Sequence, residues 1–253
     1  MSVTARPQDE RWVSGRLAVG TAHTRLICVP QAGAGAGAFS GWRRHVPPGI
    51  ELAPVELPGR GTRQDEPMPD GFDELAERLL AGLTPELTMP YALFGHSFGG
   101  ALVYELSRRI AARGLPAPVA TLVSAFRAPH TPPSAAMSEA SDEGLLDWLL
   151  RNGGLPEELL AYPEFLHQIM RPMRTDLRLA ESYLLAEPDP LSVPLHVFGG
   201  ADDEVTRADG LPEWRHCAGA GFSLTLLPGG HHFPHTDPAA MVAALTDALA
   251  RTA

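Results

Sequence analysis

Tyr91-Ala92-Leu93-Phe94-Gly95-His96-Ser97-Phe98-Gly99-Gly100-Ala101-Leu102-Val103-Tyr104-Glu105-Leu106-Ser107-Arg108-Arg109-Ile110 is the stretch on which the fold turns. Its opening is apolar and β-prone. Leu102, Leu106 and Ile110 then recur four apart, the spacing of one helical face. Between the two lies G-x-S-x-G, Gly95 to Gly99. A strand that ends, turns sharply at a serine and starts a helix leaves no room for side chains at the flanking positions, and glycine removes that bulk. The serine hydroxyl then stands above the sheet beside the N–H groups of a helix N-terminus, where a developing oxyanion is stabilised. The bland alternative is a glycine-rich turn with an ordinary serine. With 25 glycines in the chain the motif alone is weak, and its strand-then-helix context gives it weight.

Outward from this point, short apolar runs alternate with helical stretches. The runs expected as strands are Arg25–Val29, Glu51–Glu56, Tyr91–Phe94, Val119–Ser124, Leu195–Phe198 and Ser223–Leu227. The stretches expected as helices are Ala38–His45, Phe72–Leu83, Phe98–Arg113, Glu213–Ala218 and Pro238–Arg251, the last opened by Asp237-Pro238. This alternation predicts an α/β fold, a mostly parallel sheet with helices on both faces. Residues 127–190 break the pattern. They read as helices only: Glu143–Arg151, Pro156–Ala161, Glu164–Met170 and Arg174–Leu185. Such an insertion between two strands is either a lid over the site or a static helical subdomain. Leu145, Trp148 and Leu149, on its most apolar helix, are candidates to line or cover a substrate channel.

The 253 residues suit one domain, 1–253. A net charge of −10 argues against nucleic-acid and anionic-membrane partners. No apolar run approaches a membrane span and the first 16 residues are polar, so a cytoplasmic protein is expected. Cys28 and Cys217 form no metal spacing. All 20 basic residues are arginine, which excludes a lysine Schiff base and a P-loop lysine.

A serine nucleophile needs a base, and the base an orienting carboxylate, in the chain order Ser, Asp/Glu, His. At the end of the fifth expected strand come Gly199-Gly200-Ala201-Asp202-Asp203-Glu204-Val205. Asp202 and Asp203 compete for the role. Asp202 lies three residues after Gly199 and three before Val205, and that spacing favours it, which leaves Asp203 and Glu204 to a solvated turn. The loop after the last strand is Gly229-Gly230-His231-His232-Phe233-Pro234-His235, and His231, directly after the glycines, is the expected base. Three histidines at this spacing in a Gly/Pro loop have no clear ligand geometry, so no metal and no cofactor are expected. His196, within a strand, reads as a core histidine. The oxyanion hole would combine the N–H of Phe98 with that of Ala32, in the small-residue segment after the first strand.

With these residues located, the chain resembles the stand-alone type II thioesterases of polyketide synthase and nonribosomal peptide synthetase pathways. The likeness runs from about Arg25 to Leu249. It is carried by Cys28-Val29-Pro30-Gln31-Ala32-Gly33, by Leu57-Pro58-Gly59-Arg60-Gly61 with Arg63 and Pro67, and by Gly95–Gly100. Arg174-Thr175-Asp176 with Tyr183, and Gly229-Gly230-His231-His232-Phe233, complete it. Gln31 departs from the histidine found in many members. The resemblance implies an α/β-hydrolase fold with a helical lid insertion. It also implies a catalytic set of Ser97, Asp202 and His231, and hydrolysis of acyl groups from the phosphopantetheine arm of an acyl or peptidyl carrier protein. A monomer acting in polyketide or nonribosomal peptide biosynthesis is the expected form. Two other readings stand beside it: a different serine hydrolase (an oxygen-esterase or product-releasing cyclase), and a non-catalytic carrier-binding module.

Overall fold

The computed structural model describes residues 12–17, 20–155 and 157–252. Pro156, and with it the start of the expected helix Pro156–Ala161, lies partly outside them. Six strands form one sheet: β1 (Thr24–Val29), β2 (Ile50–Pro54), β3 (Tyr91–His96), β4 (Ala120–Ser124), β5 (Leu195–Gly200) and β6 (Phe222–Leu227). All neighbours are parallel, in the order β2-β1-β3-β4-β5-β6. The chain winds outward from β1 to β2, then returns to β3 on the other side. The β1/β3 boundary is therefore the point of reversal, where open α/β sheets leave a crevice at the strands' carboxyl ends. Val29 pairs with Gly95 and His96 with Ser124, so these strand ends share one edge.

Period-two alternation sends successive side chains to opposite faces. Ile27 and Val29 join Leu75, Leu79, Leu102 and Leu106, so α1 (Phe72–Leu83) and α2 (Phe98–Ala112) cover one face. Leu26 and Cys28 join Phe39, Trp42, Met241 and Leu245 on the other. Two expected α-helices are 3-10 segments instead, Ala36–Trp42 and Ala208–Cys217. The first carries Gly37 and Gly41, and Pro212 interrupts the second; neither composition sustains an α-helix.

Between β4 and β5 there are helices and no strand among the described residues. α3 (Asp142–Arg151) is capped by Ser141, whose Oγ accepts from Gly144 N–H at 3.1 Å. A short 3-10 turn follows at Glu157–Ala161. The two helices expected around Pro172 are one, α4 (Pro163–Ser182), with Pro172 inside it. Met173, Asp176 and Leu179 are all buried. Packing of that one face holds the helix in line through a residue that removes one of its hydrogen bonds. After β6 come α5 (Phe233–Thr236), unforeseen in sequence, and α6 (Pro238–Ala250), capped by Asp237.

Candidate active site

β3 ends at His96, and Ser97 takes φ 52° and ψ −119° before α2 begins at Phe98. A non-glycine residue at positive φ is strained, and such strain persists only where the surroundings enforce it. Here they do. A methyl group at Gly95 would overlap the Gly99 carbonyl, and one at Gly99 would overlap the Val29 carbonyl. The start of α2 folding back over the end of β3 therefore demands glycine at 95, and the close approach of β1's end to α2 demands it at 99 and sets the elbow beside the Gln31–Gly33 loop.

Ser97 Oγ lies 3.0 Å from His231 Nε2, and His231 Nδ1 lies 2.9 Å from Asp203 Oδ2. His231 and Asp203 are buried, while Ser97 is partly exposed. The acid is thus Asp203 and not the expected Asp202, which is exposed. The cause lies in the loop geometry. β5 runs on to Gly200, whose Cα packs against the Gly229 and Gly230 carbonyls. Asp202 N–H then donates to Gly229 O at 3.0 Å, a backbone tie between the acid and histidine loops. The next residue turns inward. Asp203 Oδ1 accepts from the N–H groups of Val205 (2.8 Å) and Thr206 (3.0 Å), which leaves Oδ2 for the imidazole. Burial opposes ionisation of Asp203. The hydrogen bond and charge of His231 and the two N–H donors outweigh it, so the carboxyl sits below its ordinary range. The signal missed in the sequence was this turn: an aspartate two and three residues before N–H groups it can cap.

The histidine loop is fixed from beneath. Trp42 Nε1–H donates to Pro234 O at 2.9 Å, and Phe233 is buried. His196 is a strand residue beside Ser223 Oγ, at 2.6 Å, away from this cluster. Phe98 contributes the first N–H of α2, one of the helix's N-terminal donors that lack an intrahelical acceptor. Ala32 lies in the turn closed by Ala34 N–H to Gln31 O, 3.1 Å.

The segments quoted for the family likeness prove largely to be fasteners. Arg60 is buried and grips Asp176 with both terminal nitrogens, at 2.5 and 2.9 Å. Asp176 is fully buried and also accepts from Gly33 N–H at 2.8 Å. One carboxylate on α4 thus ties the insertion to the β2 loop and to the loop beside Ser97. Arg63 stacks over Trp12 at 3.8 Å and pairs with Glu66. Tyr183 Oη–H donates to Glu105 at 2.9 Å. Removing one partner of a buried ion pair costs about 3–5 kcal/mol. Asp176→Ala is therefore expected to lower the melting temperature by roughly 10 °C for a chain of this size. A calorimetric shift under about 2 °C would show that the pair does not hold the insertion.

Of the expected lid contacts, Leu145 and Leu149 are buried in the same apolar cluster as Phe72 and Phe98, and Trp148 is half-buried. A cavity of about 740 Å³ opens on another face of α3, between it and α4, and is lined by Leu146, Leu166, Met170, Arg171 and Arg174. The three expected residues do not line it.

A parallel sheet with a strained serine elbow, a histidine within reach of the serine and a carboxylate behind the histidine defines a serine hydrolase of the α/β-hydrolase type. Within that class, residues 24–249 match the thioesterase domain model, and the chain belongs to the thioesterase family. It is 30% identical over 227 residues to the gramicidin S biosynthesis protein GrsT of Aneurinibacillus migulanus, covering 89% of each chain. Among solved structures it resembles RedJ, the thioesterase of the prodiginine pathway in Streptomyces coelicolor. The identity is 32%, the TM-score 0.84, and 98% of this chain and 96% of that one are covered. It also resembles BorB, a type II thioesterase from the borrelidin cluster, at 31% identity and TM-score 0.81, with 92% of this chain and 94% of that one covered.

Proposed function

We propose that this thioesterase hydrolyses acyl groups from the phosphopantetheine arm of acyl or peptidyl carrier proteins, and so clears stalled or misprimed units during polyketide or nonribosomal peptide assembly. The observation that carries the reading is the Ser97–His231–Asp203 relay, at 3.0 and 2.9 Å, on a strained elbow in a chain of the thioesterase family. His231 Nε2 takes the Ser97 proton as Oγ attacks the thioester carbonyl. Asp203 holds His231 Nδ1–H and stabilises the imidazolium. The N–H groups of Phe98 and Ala32 receive the oxyanion. The pantetheine sulfur leaves with the proton from His231. A water activated by the same imidazole then releases the acid and frees Ser97.

The flexible arm carries only its thioester to Ser97, while the carrier body rests outside the insertion. Leu145, Trp148 and Leu149 would act behind the channel wall, shaping it through packing. The reading places the enzyme in the cytoplasm, as a monomer. Among the described residues no helix is long and apolar enough to cross a membrane.

The test is a panel of acyl carrier proteins followed by mass spectrometry, with matched oxygen esters alongside. Loss of the acyl mass from the carrier, faster than oxygen-ester cleavage, is the expected result. Faster cleavage of the oxygen esters would reassign the enzyme to the esterases. Cyclised in place of hydrolysed product would reassign it to the product-releasing cyclases.

A further inference from the structure

Three histidines beside the relay have no part in it. His96 is fully buried at the end of β3, and His232 and His235 are partly buried on the loop and on α5. Their ring centroids lie 5.4 Å (His96–His235), 6.0 Å (His96–His232) and 6.3 Å (His232–His235) apart. One nitrogen from each lies within 4.8 Å of the other two. Three imidazoles on one zinc-like ion, each bonded at about 2.0–2.1 Å, hold their rings on the order of 5 Å apart and their nitrogens about 3.4 Å apart. The cluster reaches that geometry by shifts of about 1 Å. The sequence could not show this, because His96 lies far along the chain from the other two.

The hydrogen bonds select the nitrogens. His235 Nε2 lies 3.0 Å from Gln31 Oε1, which only accepts, so Nε2 carries the hydrogen and Nδ1 is a bare lone pair. His96 Nδ1 lies 3.1 Å from Ser124 Oγ; when it donates there, Nε2 is bare in the same way. These two nitrogens, His96 Nε2 and His235 Nδ1, are buried and have no hydrogen-bond partner. An imidazole whose one nitrogen donates to a fixed acceptor while the other is left open is the arrangement of a metal-ligating histidine.

We propose that His96, His232 and His235 bind one zinc-class divalent cation, with Gln31 as the outer acceptor that orients His235, and that occupancy inhibits the enzyme. A set of three histidines leaves a fourth position to water, as suits zinc. Partial exposure of His232 and His235 gives the ion a way in. The His231 ring lies 5.3 Å from both the His96 and the His232 rings. A dication there opposes the positive charge that His231 acquires when it takes the serine proton. This inhibitory half rests on the proposed role of His231; the binding half does not. It also gives a role to Gln31.

Cobalt(II) tests the binding half, because a tetrahedral site gives it a visible absorption independent of turnover. One equivalent should develop the spectrum in the wild type and in Ser97→Ala. His232→Phe and His235→Phe should each abolish it. Gln31→Leu should weaken binding by about 10–100-fold, as loss of an outer-shell partner does. Zinc should inhibit turnover with the same ranking, and chelator-treated enzyme should keep full activity. No spectrum at one equivalent, or a spectrum and inhibition unchanged in both histidine variants, would overturn the site. A wild-type spectrum without inhibition would overturn the regulatory half alone, and an active Ser97→Ala that still binds cobalt would locate the failure in the catalytic reading.

Discussion

Ser97→Ala is expected to reduce thioester hydrolysis by about 10⁴–10⁶-fold, the loss that accompanies removal of a triad nucleophile. The melting temperature should stay close to that of the wild type. The reason is geometric. Oγ is the atom 3.0 Å from His231 Nε2, and Ser97 is partly exposed at this elbow, open to the carbonyl of a substrate. Alanine keeps the Cβ and the strained φ of 52°, so the backbone of the elbow has no cause to move. Steady-state rates on an acyl-pantetheine thioester, with a thermal melt as control, make the check. Activity within tenfold of wild type would remove Ser97 from the mechanism.

Asp203→Asn is expected to lower kcat by about 10⁴-fold, because an amide in place of the carboxylate holds the imidazole in the wrong tautomer. Asp202→Asn should leave kcat nearly unchanged. The contrast is sharp because the residues are adjacent and alike in chemistry. They differ in direction: Asp203 Oδ2 is 2.9 Å from His231 Nδ1, while Asp202 is exposed. Asp203 also adds a signature in acid. Its folded pKa is lowered, so the stability it contributes is fully present above its ordinary value, about 3.9, and is lost as pH falls through the lowered one. Acid melts of Asp203→Asn should lack that loss. Equal kcat losses in the two variants, or a larger one at Asp202, would reverse the assignment.

The six strands were legible because each is a short apolar run flanked by turn residues, and a parallel sheet buried on both faces needs nothing subtler. The elbow was legible because the G-x-S-x-G spacing sits between a strand-like and a helix-like run, and the clash that requires Gly95 acts within five residues, although the one that requires Gly99 comes from Val29 on β1. The acid was not fixed to the residue. Which of two neighbouring aspartates turns inward depends on how far β5 extends and on the Asp202–Gly229 backbone tie, which joins loops from distant parts of the chain. The helix break expected at Pro172 failed for a like reason: the face of α4 that carries Met173, Asp176 and Leu179 is packed by tertiary partners, and that packing outweighs the local penalty of proline. Arg60 had no role that its segment could show, because its partner lies 116 positions away. The histidine cluster hid for the same cause, since spacing within one loop says nothing about a third histidine at the end of β3.

The account rests on a covalent acyl-enzyme at Ser97. Rapid quenching of the enzyme with an acyl carrier protein thioester, followed by peptide mass mapping, tests it most directly. The expected result is the acyl mass on the peptide that holds Ser97, formed in the wild type, accumulating when His231 is replaced by a residue that permits slow acylation without deacylation, and absent in Ser97→Ala. Acyl mass on any other peptide, or hydrolysis by wild type while Ser97 is demonstrably never acylated, would contradict it.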